Sequence, residues 1–135
     1  MELTIEATLP HVATVTAWMD EALEAHGCAV KSQMQLDIAM DELFGNIANY
    51  AYAPGVGSVT VSLDFDSRPG FVVLTFTDSG VPYDPLAKAD PDITLSAEDR
   101  PIGGLGIFMV KKTMDEMAYV YEDGQNKLTV VKALG

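Results

Sequence analysis

The sequence predicts an α+β protein, a two-layer sandwich with three main helices on one face of a mixed, mostly antiparallel sheet. Two observations lead to this fold class. Segments that alternate between apolar and polar residues indicate strands, and segments with apolar residues at three- and four-residue spacing indicate helices. Their order along the chain is β-α-α-β-β-loop-α-β-β, and short turns join neighbouring strands. We therefore expect the helices to cover the apolar face of a sheet built largely from hairpins.

The first half of the chain predicts one strand and two amphipathic helices. Residues 1–8 alternate between apolar and polar side chains, as a half-buried strand does. Residues 10–26 carry apolar side chains at helical spacing, and residues 32–50 repeat that pattern. The apolar stripe of the second helix consists of Leu36, Met40, Leu43 and Ile47.

The second half predicts two hairpins separated by a long loop and a helix. Residues 59–65 alternate and residues 71–77 are apolar nearly throughout, so they predict a half-buried strand and a central strand. Residues 83–102 form a proline-bearing acidic loop, which is either functional, as a lid, or disordered. The last helix turns four apolar residues inward, and a hairpin with strands at 118–122 and 127–133 closes the chain. Those four residues are Ile107, Val110, Met114 and Met117.

Length and charge limit the possible functions. A chain of 135 residues is predicted to form a single domain over residues 1–135. Eight basic against twenty acidic residues give a net charge of −12, which argues against binding to nucleic acid or to an anionic membrane. Cys28 is the single cysteine, which excludes an internal disulfide. The sequence shows no signal peptide and no membrane span, so we expect a cytoplasmic protein.

Polar residues beside the predicted core are candidates for a site. Glu42 and Asn46 are one helical turn apart and lie beside the apolar stripe of the second helix, with Asn49 near them. They line the floor of a pocket or form an i,i+4 polar pair on a solvated face. Asp78 leaves the central strand just before Gly80. It either places a carboxylate in the pocket, where a ligand amine can donate to it, or belongs to a plain turn.

A glycine-rich turn precedes the last helix. Gly103, Gly104 and Gly106 stand where a polar loop runs into an apolar helical pattern. Glycine allows close approach of a ligand to the backbone, and a helix N-terminus offers unpaired N–H groups that suit phosphate. The alternative is a turn without a ligand. The turn, the Asp78 corner and the Glu42–Asn46 edge can all meet between the helix layer and the long loop.

Three motifs resemble, in order and spacing, the N, G1 and G2 boxes of the GHKL ATPases, the superfamily of gyrase B, Hsp90, histidine kinases and MutL with its Bergerat ATP-binding fold. They are Glu42-x-x-x-Asn46, Asp78-x-Gly80-x-Pro82 and Gly103-Gly104-Leu105-Gly106. The context DELFGNIANYAY and the stretch GGLGIFMVKKTMDEMAY resemble the anti-sigma-factor serine/threonine kinase branch, of the RsbW and SpoIIAB type. The resemblance covers nearly the whole chain.

This resemblance implies an ATP site and assigns each position a role. Glu42 would take the proton from an attacking hydroxyl or orient a water. Asn46 would offer its carbonyl oxygen to Mg²⁺, and Asn49 lies beside it. Asp78 would accept from the adenine amine, and Gly80 would let the base approach the backbone. The phosphates would be held by Gly103, Gly104, Leu105 and Gly106. Thr129 matches a polar position that supports the adenine-binding aspartate.

The resemblance also implies partners. They are a STAS-domain anti-anti-sigma protein as phosphoacceptor, a sigma factor, and a second copy of the chain in a homodimer. The sequence departs from the family's pattern at two positions. Arg100, the candidate γ-phosphate contact, is separated from Gly103 by two residues, and Tyr50 replaces a frequent histidine. A nucleotide-gated binding module without phosphotransfer is the alternative. A detached histidine-kinase domain is disfavoured, because neither His11 nor His26 lies in a phosphoacceptor context.

Overall fold

The computed structural model describes residues 1–87 and 105–135. A 3₁₀ turn (Leu9–His11) leads into the first helix, and a π turn (Ile47–Ala51) extends the second. The helices and strands are β1 (Glu2–Glu6), α1 (Val12–Ala25), α2 (Val30–Asn46), β2 (Ser58–Asp64), β3 (Phe71–Asp78), α3 (Leu105–Thr113), β4 (Glu116–Glu122) and β5 (Gln125–Ala133). The predicted α+β class with three helices is confirmed.

The five strands form one sheet in the order β1-β2-β3-β5-β4. Every pairing among these described strands is antiparallel, so the expected mixed sheet is here an antiparallel one. The strand predicted to be central, β3, pairs with β2 on one side and β5 on the other. In this register Asp78, the last residue of β3, lies directly opposite Asn126 near the start of β5.

The helices form a layer on one face of the sheet, with α2 in the middle, because α2 contacts both α1 and α3. The core lies between this layer and the sheet, and includes Phe44 of α2 and Phe76 of β3, both fully buried. Alternation along β3 and β5 sends every second side chain into this core. None of the described helices is long and apolar enough to cross a bilayer.

Two helix boundaries differ from the predicted ones. The α-helical part of α2 ends at Asn46, and a π turn continues to Ala51. The last helix ends at Thr113, and Met117, predicted to be helical, lies on β4. The backbone N–H of Asp115 already donates to the carbonyl of Val131 at 2.9 Å, so strand pairing starts there. Apolar residues spaced three apart fit the end of a helix and the start of a strand equally well, which explains the error.

Candidate functional site

A cleft lies between the C-terminal half of α2 and the ends of β3 and β5. Its walls are mainly apolar and include Leu43, Phe76 and Leu128. Polar side chains reach it at a few points, among them Asn46 from α2 and Asp78 from β3. An apolar slot with a few placed polar groups is the usual form of a small-molecule site. The structure therefore brings the Asn46 edge and the Asp78 corner together, as the sequence predicts.

Asp78 is held in this cleft by hydrogen bonds on one of its two oxygens. Its side chain is buried, and its Oδ1 accepts from the backbone N–H of Gly80 at 2.9 Å and from Nδ2 of Asn126 at 3.0 Å. Among the described residues, both bonds to this carboxylate end on Oδ1. Because Oδ2 receives no bond from them, it is the oxygen available to accept an N–H of a ligand.

Asn126 is a buried site residue that the sequence interpretation missed. Besides donating to Asp78, its Nδ2 donates to the carbonyl oxygen of Val81 at 2.8 Å. Its Oδ1 accepts from the backbone N–H of Tyr83 at 3.1 Å and from the hydroxyl of Tyr119. Nδ2 thus only donates and Oδ1 only accepts in these hydrogen bonds, which fixes the orientation of the amide. Asn126 thus ties together β3, the loop after it and β4.

The Tyr119 hydroxyl remains a neutral donor in this network. Burial raises the pKa of Tyr119 above its ordinary value, and the nearby carboxylates of Asp84 and Asp78 raise it further. A phenol with a raised pKa keeps its proton at neutral pH, so it can donate to the amide oxygen of Asn126. The network therefore holds its hydrogen-bond pattern across the physiological pH range.

The support expected from Thr129 comes from Asn126 instead. Thr129 lies opposite Thr75, three positions from the end of β3, and it alternates with the buried residues of β5. It therefore faces away from the helix layer, whereas Asp78 and Asn126 face toward it. Since side chains alternate with a period of two, an odd offset from Asn126 places Thr129 on the opposite face of the sheet. The expectation for Thr129 is wrong for this geometric reason.

Glu42 and Gly106 meet across the interface between α2 and α3. The space that a Cβ on Gly106 would occupy is already taken by the carboxyl carbon and both oxygens of Glu42. Only glycine at position 106 lets this carboxylate lie against the first turn of the described part of α3. Asn46 follows Glu42 by one helical turn. The Glu42 carboxylate, the Asn46 side chain and the first described turn of α3 thus lie on one side of the C-terminal half of α2.

Gly80 is required for packing, in addition to the role expected for it. The family resemblance implies that it admits a base, and in the structure a Cβ at this position would overlap the backbone carbonyl of Ala51. The neighbouring Val81 N–H donates to that same carbonyl at 2.8 Å. Gly80 therefore allows the loop after β3 to lie against the end of the π turn, which places Val81 in the wall of the cleft.

Some predicted site residues lie elsewhere. Asn49 is exposed and does not line the cleft, because the wider π turn breaks the α-helical phase after Asn46. Tyr50, which replaces the frequent histidine, is exposed and its ring lies 5.9 Å from that of Tyr83. Leu105 is the first described residue of α3. Outside the described residues lie Arg100, Gly103, Gly104 and most of the predicted lid, residues 88–102.

The side chains at the cleft suit a nucleotide together with a Mg²⁺ ion that has few protein ligands. The described residues contain no group of three or more histidine, cysteine or acidic side chains that could hold a metal by itself. Mg²⁺ does not need such a group, because it keeps several waters and is bound by one or two protein oxygens together with phosphate oxygens. The carbonyl oxygen of Asn46, at the lip of the cleft, is a suitable single ligand.

Comparisons with known proteins agree with this geometry. Residues 5–132 match the model of a family described as the histidine kinase-like ATPase domain. The serine/threonine-protein kinase BtrW of Bordetella bronchiseptica is 27% identical over 130 residues, which are 96% of this chain and 89% of that protein. The serine-protein kinase RsbW of Bacillus mycoides is 27% identical over 133 residues, covering 95% of this chain and 81% of the relative.

Solved structures share the fold. The crystal structure of the RsbU and RsbW domains of Rv1364c from Mycobacterium tuberculosis superposes with a TM-score of 0.63 at 21% identity and covers 99% of this chain. This chain spans only 32% of that longer protein. The histidine kinase AdeS of Acinetobacter baumannii superposes with a TM-score of 0.53 at 14% identity, over 98% of this chain and 68% of AdeS. At such identities the likeness concerns the fold alone.

Proposed function

The chain belongs to the histidine kinase-like ATPase domain family, and from this premise we propose that it is an ATP-dependent protein serine/threonine kinase. Its substrate is a serine or threonine hydroxyl on a STAS-domain anti-anti-sigma protein, and it also binds a sigma factor. The names of the relatives support a kinase, since BtrW and RsbW are named as serine/threonine- or serine-protein kinases. The observation that carries the proposal is the contact of the Glu42 carboxylate with Gly106 at α3.

Glu42 is the proton acceptor in this proposal. Phosphoryl transfer to a hydroxyl needs a group that accepts its proton and orders that oxygen in line with the transferred phosphoryl group. The phosphates of the nucleotide would lie at the helix start that Glu42 contacts, where free N–H groups and the helix dipole favour negative charge. A carboxylate held against that helix start is therefore next to the place where the hydroxyl must arrive. Because Gly106 has no side chain, it leaves room at this helix start for the Glu42 carboxylate and the phosphates.

The adenine end of the nucleotide is held at the other end of the cleft. Asp78 Oδ2 would accept from the exocyclic amine of the base, while the apolar walls cover its faces. Asn46 would bind Mg²⁺, which neutralises charge on the phosphates when it is bound. The remaining phosphate contacts are assigned to Gly103 and Gly104, and Arg100 would contribute from the loop before them.

Partner binding follows from the same proposal. We expect a homodimer that exchanges the STAS-domain protein and the sigma factor according to the bound nucleotide. The separation of Arg100 from Gly103 by two residues favours a second candidate function, a nucleotide-gated binding module that does not transfer phosphate. Both candidates use the Asp78 cleft, and only the first requires Glu42 as a proton acceptor.

Phosphotransfer from labelled ATP tests the proposal. The full chain is mixed with Mg²⁺, labelled ATP and each STAS-domain protein of the same genome, beside an Asp78→Asn control. We expect label on one STAS-domain protein, and none with the control. Label on no protein, while calorimetry still shows binding of Mg-ATP, would select the nucleotide-gated module. Absence of nucleotide binding would refute both candidates.

A further inference from the structure

The outer surface of α2 carries a row of exposed apolar side chains. Val30, Met34 and Ile38 follow one another at four-residue spacing and are 74%, 59% and 61% exposed. We call these three residues the outer row. Single exposed apolar residues are ordinary on a protein surface, but three on successive turns of one helix form a continuous line. The row belongs to the face of α2 opposite its core stripe, so the fold itself does not use it.

The apolar line continues beyond the outer row at its C-terminal end. Leu9, which is 54% exposed, covers the next part of α2, because its Cδ2 lies 3.9 Å from where a Cβ of Gly45 would be. From Val30 to Gly45 the helix rises about 22 Å at 1.5 Å per residue. Since α2 is the middle helix of the layer, this line runs along the centre of the outer surface and is long enough for about four turns of a second helix.

The side of the row that faces α1 is acidic. Asp37 precedes Ile38 and lies within electrostatic reach of Asp20 and Glu24 on α1, and Asp41 is exposed one turn further along α2. The Asp20 and Asp37 side chains approach each other closely, and one oxygen of each is buried without a donor among the described residues. The Asp20–Asp37 pair and the exposed carboxylates of Glu24 and Asp41 therefore border one edge of the row.

The side of the outer row that faces α3 carries a lysine. Lys31 is eleven residues before Glu42, or about three turns, so it lies on the side of α2 that faces α3. Both Lys31 and Lys112 of α3 are exposed. The α3 edge thus carries the exposed Lys31 as well as the Glu42 carboxylate, whereas the α1 edge carries the carboxyl groups described above, and the whole chain has a charge of −12.

We propose that the outer row is a docking site for an amphipathic helix of a partner protein, with apolar residues at i, i+4 and i+8 and basic residues on the edge that meets α1. The apolar residues of that helix would lie along Val30, Met34 and Ile38. Its basic residues would face the carboxylates of Glu24 and Asp41 and the field of the Asp20–Asp37 pair behind them. A second copy of this chain is the less suitable occupant of this row, because it has eight basic against twenty acidic residues to offer to an acidic edge. The homodimer expected above is assigned to no particular surface. The inference does not depend on phosphotransfer.

A synthetic helix tests the site directly. The probe is a fluorescent amphipathic peptide of about 15 residues, which spans about 22 Å as a helix, with leucines on one face and arginines along one edge. Its anisotropy is measured with the full chain in about 150 mM salt, where distant charges are screened. Two control peptides have the same composition in scrambled order, or glutamate in place of arginine. We expect the probe to bind more tightly than either control.

Matched variants locate the binding. Met34→Gln with Ile38→Gln is expected to weaken probe binding by about ten-fold or more, because both contacts would lie in the centre of the interface. Val56→Gln changes a residue that is 60% exposed but lies outside α2, and should leave binding unchanged. Equal binding of the scrambled peptide, or an unaffected double variant, would overturn the proposal. So would a concentration-dependent dimer in sedimentation equilibrium that the double variant abolishes, since the occupant would then be a second copy.

Discussion

Replacing Asn126 by alanine should weaken both the fold and nucleotide binding. The change removes the Nδ2 donor 3.0 Å from Asp78 Oδ1 and the donor 2.8 Å from the Val81 carbonyl. It also removes the acceptor of the Tyr83 N–H. A hydrogen bond to a charged group contributes about 2 kcal/mol, and the stranded neutral groups add about 1 kcal/mol after water replaces part of the lost bonding. We therefore expect a loss of about 3 kcal/mol in the free energy of unfolding.

Urea unfolding measures the stability and calorimetry measures ATP affinity. With one of its two described hydrogen bonds gone, the Asp78 carboxylate can rotate, and ATP affinity should fall by about ten-fold, or about 1.4 kcal/mol. Gln125→Ala is the matched control, because Gln125 is the exposed neighbour of Asn126 on β5, and both quantities should stay unchanged. An Asn126→Ala variant within about 0.5 kcal/mol of the parent in unfolding free energy, the range of neutral surface changes, would refute the assigned network.

Three further changes test other parts of the structure. Gly80→Ala should unfold the protein at lower urea concentration, because its Cβ would overlap the rigid backbone carbonyl of Ala51. Gly57→Ala provides a comparison, because its Cβ would meet the Tyr52 side chain instead. Equal stability of the parent and Gly80→Ala would contradict the close approach of Gly80 to Ala51. Gly106→Ala should lower the phosphotransfer rate more than the affinity for ATP, since it displaces the flexible Glu42 carboxylate; an unchanged rate would separate Glu42 from the reaction. Burial, the hydrogen bond with Asp20 and the charges of Asp20 and Glu24 raise the pKa of Asp37 from 3.8 to about 7. Stability from this group is therefore complete below pH 3.8 and is lost as the pH rises through about 7. Asp37→Asn should remove that decline in urea midpoints measured from pH 4 to 8, whereas Asp41→Asn, at an exposed position, should retain it.

The layers and most of the elements could be predicted because they depend on periodicity. The alternation in residues 59–65 and the apolar run at 71–77 predict β2 and β3 with ends that differ by no more than one residue from those observed. The positions of Glu42, Asn46 and Asp78 could be predicted for the same reason, since helical phase and strand ends fix which way these side chains point, whereas their roles stay predictions. Boundaries were less predictable where one residue pattern suits two structures, as at Met117.

Asn126 is not evident from the sequence pattern, which leaves residues 123–126 as the turn between the predicted strands 118–122 and 127–133. In the structure the turn is Asp123-Gly124 alone, with φ of 54° and 75°, and Gln125 already pairs with Glu122. Asp-Gly is the usual pair for a two-residue hairpin turn with both φ values positive, so the signal was present. That signal starts β5 at Gln125, two residues before the predicted start, and places Asn126 in the strand. The contact of Gly106 with Glu42 is different, since it depends on how α2 packs against α3 and no local pattern encodes it.

The most direct test of the central claim is a calorimetric titration of Mg-ATP into the parent chain, Glu42→Gln and Asp78→Asn, paired with phosphotransfer from the same samples. The claim assigns Glu42 to proton transfer and Asp78 to holding the base. We expect Glu42→Gln to bind Mg-ATP as the parent does and to transfer no phosphate, and Asp78→Asn to lose binding. Parent-like affinity in Asp78→Asn, or parent-like transfer by Glu42→Gln, would contradict the assignment of this cleft as the ATP site of a kinase.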